Sequence, residues 1–298
     1  MKGLLRTCST LLVLLLVISC IGFGYASEDV KGAVLDNIIY SENEMMILSE
    51  CSEEELEEKG FSEEEIDSLK KMDYRELLLE RGQLPYETLK NYGYSNEQIR
   101  ILKDYKGEKI TKNSEILKAA ATLSATPYIT TYSREKIGIR FEWKWSLKPV
   151  YNMTDGIAIK WRASLKDGIA EGKATESFAL IRYFNINTGK EDHVIRKNAN
   201  SSIQKQCADV TFPMLDVSAN ETWAKEGTFY LTVQSTNTGG NLDHVSFFGS
   251  YGHKTISCTM TIHIVDDVMF PVFLPNSKVT TTNFVETIAY YDGRLVKG

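Results

Sequence analysis

Two stretches of strict alternation limit what this chain can fold into. In residues 137–147, Ile137, Ile139, Phe141, Trp143, Trp145 and Leu147 alternate with Gly138, Arg140, Glu142, Lys144 and Ser146. A side-chain period of two sustained over that length marks a strand with one buried face. Its partner stretch, 156–165, repeats the pattern with Ile157, Ile159, Trp161, Ala163 and Leu165 on one side and Ala158, Lys160, Arg162 and Ser164 on the other. The chain before this pair reads as helical and acidic, and the chain after it reads as strands.

The first 26 residues carry an address. Lys2 and Arg6 give a positive start, residues 11–18 are an unbroken apolar run, and Gly24-Tyr25-Ala26 puts small residues where a signal peptidase needs them. The run is too short to cross roughly 30 Å of hydrocarbon as a helix, so it reads as an export signal that leaves a secreted, extracellular protein. The competing reading is a lipoprotein. Val17-Ile18-Ser19-Cys20 has the form of a lipobox in which Cys20 is lipidated and becomes the first residue, anchoring the chain to a membrane, although 21–25 stay apolar where a tether is usually polar.

Composition fits a packed protein, with 43% apolar and 25% charged residues. The net charge of −6 is unevenly spread: residues 28–110 hold 22 Asp and Glu against 11 Lys and Arg. An acidic front half argues against nucleic acid as a partner, and a membrane enters only through lipidation at Cys20.

That acidic half contains an internal repeat. The stretch 56–66, LEEKGFSEEEI, recurs 33 residues later as LKNYGYSNEQI, and the match runs on through Leu69 and Leu102. Gly60 and Gly93 suit the left-handed residue that ends a helix. Ser62 with Glu65 and Ser95 with Gln98 form capping boxes, and Phe61 with Ile66 and Tyr94 with Ile99 form hydrophobic staples. Further boxes are expected at Ser52 with Glu55 and Asp73 with Glu76, stops at Gly82 and Gly107, and Pro85 within a first turn. These signals predict short helices near 52–59, 62–72, 74–81, 85–92 and 95–106, with another at 114–124. None is long enough to stand alone, so they must pack together.

From 128 onward, strands are expected at 128–133, 137–147, 156–165, 177–187, 191–196, 205–212, 227–235, 243–249 and 254–265. Turn signals separate them, among them Thr154-Asp155-Gly156 and Ser250-Tyr251-Gly252. The expected fold is α+β: an N-terminal acidic helical-hairpin repeat module, then an antiparallel β-sandwich of Ig-like or jelly-roll type. The expected organisation is signal 1–26, lead segment 27–50, helical module 51–125, β-sandwich 126–270 and C-terminal strand or arm 271–298.

Motifs for chemistry are missing. Four histidines, His193, His244, His253 and His263, show neither HxH nor HExxH spacing, and CxxC and GxSxG are absent, so no catalytic, metal or cofactor residue is assigned. A Cys207–Cys258 disulfide suits an exported chain, yet strand parity puts Cys258 on an inward face and Cys207 on the face opposite Val210 and Phe212. Trp143, Trp145 and Trp161 read as core. Trp223, Tyr230, Phe248 and Tyr251 fall in loops or opposite the apolar face and are the candidate contacts for a ligand or partner. The reading is a non-enzymatic binding protein for an unknown protein or polysaccharide. Its alternatives are an exported hydrolase with a dispersed site and a carbohydrate-binding protein using exposed aromatics. Mass spectrometry of the mature N-terminus is expected to find Ser27 free; diacylglyceryl-Cys20 would contradict soluble secretion.

Overall fold

The computed structural model describes residues 37–152, 154–165, 168–170, 172–203, 206–216, 221–236, 241–253, 259–265, 268–274, 281–283 and 287–297. The expected export segment, Cys20 and Cys258 lie outside them, as does the expected Cys207–Cys258 bridge. β1 (Asn37–Ser41) is followed by short helices: α1 (Glu42–Leu48), α2 (Glu53–Glu58), α3 (Glu63–Lys70), α4 (Tyr74–Gln83), α5 (Tyr86–Asn91) and α6 (Asn96–Asp104). A 3₁₀ turn at Glu115–Ala119 then leads to β2 (Thr122–Tyr132), β3 (Lys136–Trp145), β4 (Thr154–Leu165), β5 (Gly168–Ala170) and β6 (Gly172–Asn185). Next come β7 (Glu191–Asn198), β8 (Asn200–Ser202), β9 (Cys207–Pro213), β10 (Leu215–Asp216), β11 (Thr222–Ser235) and β12 (Leu242–His253). The chain ends with β13 (Thr259–Val265), β14 (Val268–Leu274), β15 (Thr281–Asn283), β16 (Thr287–Tyr290) and β17 (Leu295–Lys297).

The fold is α+β with antiparallel sheets. One sheet runs β1-β2-β3-β11-β6-β7, with β10 on β11; the other runs β17-β16-β12-β4-β9-β8, with β15 on β12 and β5 on β4. The alternating stretches at 137–147 and 156–165 therefore are not sheet partners. β3 pairs with β2 and β11, β4 with β12 and β9, and they belong to different sheets. Their apolar faces meet instead through large rings. Trp143 stacks on Phe212 with centroids 5.2 Å apart and lies 5.6 Å from Tyr251. Tyr183 Oη donates to the Pro213 carbonyl at 2.7 Å, and Trp161 Nε1 to the Gly172 carbonyl at 2.9 Å. Trp143, Trp145 and Trp161 are buried, as their pattern requires.

The helices form where their caps are. Ser52 with Glu55, Ser62 with Glu65 and Ser95 with Gln98 each make both hydrogen bonds of a capping box. Asp73 accepts from the Glu76 amide only. Pro85 stands one residue before α5 rather than within it. Gly82 is no stop: α4 continues through it, and a Cβ there would lie 2.5 Å from the Leu102 carbonyl oxygen of α6. The glycine permits two helices to touch.

Tertiary contacts overturn local signals elsewhere as well. The alanine-rich stretch 114–124 holds only the 3₁₀ turn, because the Ala121 amide is taken by the Glu42 carboxylate and Thr122 starts β2. β2 thus spans the boundary expected at 125/126, and the lead segment supplies β1 to the same sheet. Ser250-Tyr251-Gly252 is not a turn but part of β12, and Asp155 lies inside β4. In the C-terminal segment, β16 and β17 form a hairpin on β12.

Helices and sheets share one core. Leu56, Leu69, Leu78, Leu89 and Leu102 belong to the same buried cluster as Ile139, Trp143 and Trp161. The helices sit on the β3–β4 connection and the β6–β7 turn. The Lys148 amide donates to the Tyr92 carbonyl at 2.8 Å, and Asn91 Nδ2 to the Asn187 carbonyl at 2.5 Å.

Gly60 (φ 84°) and Gly93 (φ 99°) separate the cost of conformation from that of packing. A Cβ on Gly60 meets nothing within 4 Å, whereas one on Gly93 would lie 2.9 Å from the Ser146 carbonyl oxygen. Gly60→Ala is expected to cost about 1–2 kcal/mol for the left-handed backbone alone. Gly93→Ala should cost about 1–3 kcal/mol more, because it also forces α5 off the β3–β4 connection. Urea denaturation measures both, and equal costs would contradict this packing.

Candidate functional site

Two groups of polar side chains stand out from the scaffold, one sealed inside it and one open on its surface. The sealed group lies where β1, α1, α4, the β3–β4 connection and β12 converge. Glu42 opens α1 and is fully buried. Its Oε1 accepts from the Val150 amide at 2.8 Å and its Oε2 from the Ala121 amide at 3.1 Å. Burial raises its carboxyl above the usual range, opposed by His253, the two amides and Arg81. Asp155 bridges two partners: Tyr251 Oη donates to its Oδ2, and His253 Nδ1 lies 2.7 Å from its Oδ1. Burial opposes charge on His253, but the Asp155 carboxylate, its hydrogen bond and Glu42 outweigh that and raise the imidazole above its ordinary value.

Arg81, on α4, completes the group. Its Nη1 donates to the Lys148 carbonyl at 2.8 Å and to Tyr94 Oη at 3.1 Å, and its Nη2 to the Pro149 carbonyl at 3.1 Å. Beside it, the Lys148 ammonium lies 4.9 Å from the centre of the Tyr92 ring. Burial first, then the Arg81 charge, push that amine down to about 7, against the pull of Glu42 and Glu221. The carboxylate, imidazole and phenol of Asp155, His253 and Tyr251 are all at most 1% exposed. Such a network orders a core; it does not present a nucleophile to a substrate.

The open group is the outer face of the sheet that runs from β1 to β7. Register arranges it in cross-strand rows. One row is Ser124, Lys144, Glu226 and Arg182; the next is Thr126, Glu142, Thr228 and Leu180; the third is Tyr128, Arg140, Tyr230 and Phe178. The first two rows, apart from Leu180, line a groove of about 410 Å³ together with Tyr128, Trp143 and Gly227. Its cations are matched by carboxylates: Lys144 with Glu226 at 3.5 Å, Arg182 with Glu191 at 3.0 Å, and Arg140 with Glu142 at 2.8 Å.

The third row forms a wall beside the groove. Phe178 and Tyr230 stack at 4.7 Å, the Arg140 guanidinium lies 4.7 Å from the centre of the Tyr128 ring, and Arg196 lies 3.4 Å over Phe178. These spacings approach the separation of neighbouring strands, so the paired planar groups stand on edge, each with a face against its partner.

The sequence-predicted contacts divide. Tyr230 is in the wall and partly exposed, and Phe248 is partly exposed on β12 in the other sheet. Trp223 and Tyr251 are fully buried and cannot meet a partner. Trp223 is not in a loop, because β11 begins at Thr222; Tyr251 is not in a turn, because β12 carries it inward. Cys207 is buried on β9. His244 pairs with Asp243 at one end of β12 and His253 with Asp155 at the other, so the two histidines do not meet. Among the described residues no three His, Cys, Asp or Glu side chains are grouped to hold a metal, and no helix is long and apolar enough to cross a membrane.

No protein-family model and no curated protein matches the chain. A solved structure of AvmM, which catalyzes macrocyclization in alchivemycin A biosynthesis, is 11% identical. The match covers 61% of this chain and 92% of that one at a TM-score of 0.25, a likeness that carries no argument about fold or activity.

Lys148 gives the sealed group a signature in pH. Folded, its amine releases its proton near pH 7; unfolded, it holds that proton towards its ordinary value of 10.5. The unfolded state therefore binds more protons between those values. Stability should rise with pH across that window by up to about 1.4 kcal/mol per unit, with the full penalty present below pH 7. His253, raised in the folded state, acts in the opposite sense: its contribution is present below its unfolded value and is lost as pH rises through the folded one. Lys148→Met is expected to be more stable than the parent below pH 7 and to lose the rise above it. Parallel stability–pH curves for the two proteins would contradict the assignment.

Proposed function

We propose that this is an exported, non-enzymatic binding protein that meets its partner on the outer face of the sheet that runs from β1 to β7. In this reading the two sheets form a β-sandwich of Ig-like or jelly-roll type, and the repeated helical hairpins are a capping module at one end of it. The observation that carries the reading is the contrast between the two polar groups. The histidine–carboxylate pair that could do chemistry is sealed, while the open face carries an ordered array of charges, hydroxyls and rings. β14 lies against β4 and β12 of the opposite sheet, and the inner faces pack on one another; among the described residues the outer face of β2, β3, β11 and β6 is a large ordered surface that packing leaves open. Half-exposed ion pairs add little to stability, about 0–1 kcal/mol each, so folding alone does not explain three of them on one face.

One observation favours the alternative of an exported hydrolase. Glu142 and Glu226 stand on neighbouring strands of the same face as diagonal neighbours, whose backbones are about 7–8 Å apart, so their carboxyl groups share one stretch of the groove. Inverting glycosidases use carboxyl pairs at about 6.5–9.5 Å. Against it, both carboxylates are engaged by cations, whereas a glycosidase acid has to deliver a proton.

The test is retention of the mature protein on a panel of immobilised polysaccharides and proteins, beside Thr228→Trp, which fills the groove, and Thr211→Trp, which alters an exposed site on β9. Thr228→Trp is expected to abolish retention and Thr211→Trp to preserve it. Retention by both variants, or by no ligand at all, would contradict the proposed face. Release of reducing ends from a retained polysaccharide would favour the hydrolase.

A further inference from the structure

The geometry of the groove on the outer face points to a neutral, hydroxyl-rich chain, an uncharged oligosaccharide, as its ligand. This rests on the face proposed above and goes on to name the ligand class. Four features of the groove carry it.

The first is charge. Lys144 and Arg182 line the groove, and each lies beside a carboxylate, Glu226 and Glu191 respectively; Arg140 and Glu142 pair at the rim. A groove built for nucleic acid or an acidic polymer leaves cations in excess to displace counterions, and one built for a basic peptide leaves carboxylates in excess. Within the lining two cations stand against two carboxylates, Glu142 and Glu226, with Lys225 near Lys144 and Arg196 on the wall, so the groove fits a partner of little net charge better than a strongly acidic or basic one.

The second is the donor and acceptor set. Tyr128 and Thr228, partly exposed, supply hydroxyls able to donate and to accept; Thr126 is buried beneath the surface and the Ser124 hydroxyl donates to the Lys144 carbonyl at 3.4 Å. Glu226 and Glu142 supply bidentate acceptors beside them, and Lys144 and Arg182 supply donors. Adjacent hydroxyls of a sugar ring, each both donor and acceptor, match a carboxylate and a cation held side by side. A purely apolar ligand would take water from these ion pairs and hydroxyls and give nothing in exchange.

The third is placement. The groove lies on the face of four paired strands rather than at an edge, so the backbone groups of β3 and β11 are already spent on their neighbours. An extended peptide gains its affinity by adding to a free edge, and this floor offers it none.

The fourth is rigidity. Two stacked pairs, Arg140 on Tyr128 and Phe178 on Tyr230, hold one side of the groove in place, with Arg196 closing the second over Phe178. A preformed wall lowers the entropy lost on binding, which matters for a ligand that must exchange its hydrogen bonds with water one for one. Because one face each of Tyr128 and Tyr230 is occupied and Phe178 is buried between Tyr230 and Arg196, recognition rests on the hydroxyls and ion pairs more than on stacking.

The inference is tested by isothermal titration calorimetry of the mature protein with neutral gluco-, xylo-, manno- and chito-oligosaccharides, with polygalacturonate as an anionic polymer, and with an uncharged extended peptide. Two variants accompany the parent: Glu226→Gln, which keeps size and removes charge, and Thr228→Val, which keeps shape and removes one hydroxyl. At least one neutral series is expected to bind, with affinity unchanged between about 0.05 and 0.5 M salt. Glu226→Gln should weaken it about tenfold or more, and Thr228→Val about threefold to tenfold, as the loss of a charged and a neutral hydrogen bond implies. Binding only to polygalacturonate, with affinity falling as salt rises, or only to the peptide, would overturn the ligand class; if Thr228→Trp also abolished that binding, the face itself would stand. Neutral-sugar binding untouched by Glu226→Gln and Thr228→Val would overturn the site, and no binding by any neutral series would overturn the inference.

Discussion

A single buried carboxylate holds the parts of this protein in register. Glu42 comes directly after β1 and accepts from the amides of Ala121 and Val150, residues 79 and 108 positions away. One of those amides belongs to the segment entering β2 and the other to the connection between β3 and β4, which link the two sheets. An ionised or hydrogen-bonded carboxyl out of reach of water is tolerated only with such partners, and losing either side leaves orphaned groups worth about 1–3 kcal/mol each. Arg81 of α4 binds the same connection through the carbonyls of Lys148 and Pro149, so the helices are tied to the point that Glu42 ties to the lead strand. Asp155, His253 and Tyr251 extend the network onto β4 and β12.

Once that junction is set, the surfaces available for function are few. The inner faces of both sheets are consumed by Trp143, Trp161, Phe212 and their neighbours, and the helices cover the β3–β4 end. The outer face of the sheet from β1 to β7 is shaped by register instead. Strand pairing brings Lys144 beside Glu226 and Glu142 beside Thr228, and it stands the rings of Tyr230 and Phe178 against each other. The junction thus acts on the proposed binding face indirectly, by fixing the sheet on which that face is written.

The legible part of the sequence is local. The alternation through Ile137, Ile139, Phe141, Trp143 and Trp145 fixes which face of β3 is buried, because the period of a strand is set by its own backbone. Ser62 with Glu65 and Ser95 with Gln98 announce helix starts because both partners lie within one turn. The illegible part is set by long-range contact. Tyr251 lies next to Gly252 and reads as a turn residue, but pairing with β4 draws it into the core against Trp143. Ala119, Ala120 and Ala121 have high helix propensity, yet a carboxylate 79 positions away from Ala121 claims its amide. Asp155 and His253 are 98 positions apart, and nothing near either one signals the other. The binding face is half visible: Tyr230 can be picked out as a strand aromatic opposite the apolar face, but the row of Tyr128, Arg140 and Phe178 exists only once β2, β3, β11 and β6 are in register.

The central claim is that helices, lead strand and both sheets form one cooperative body joined at Glu42. Scanning calorimetry of the protein tests it most directly. A single transition whose calorimetric and van't Hoff enthalpies agree, shifted as a whole to lower temperature in Glu42→Ala, is the result this account predicts. Two separable transitions, with the later one unmoved by Glu42→Ala, would contradict it.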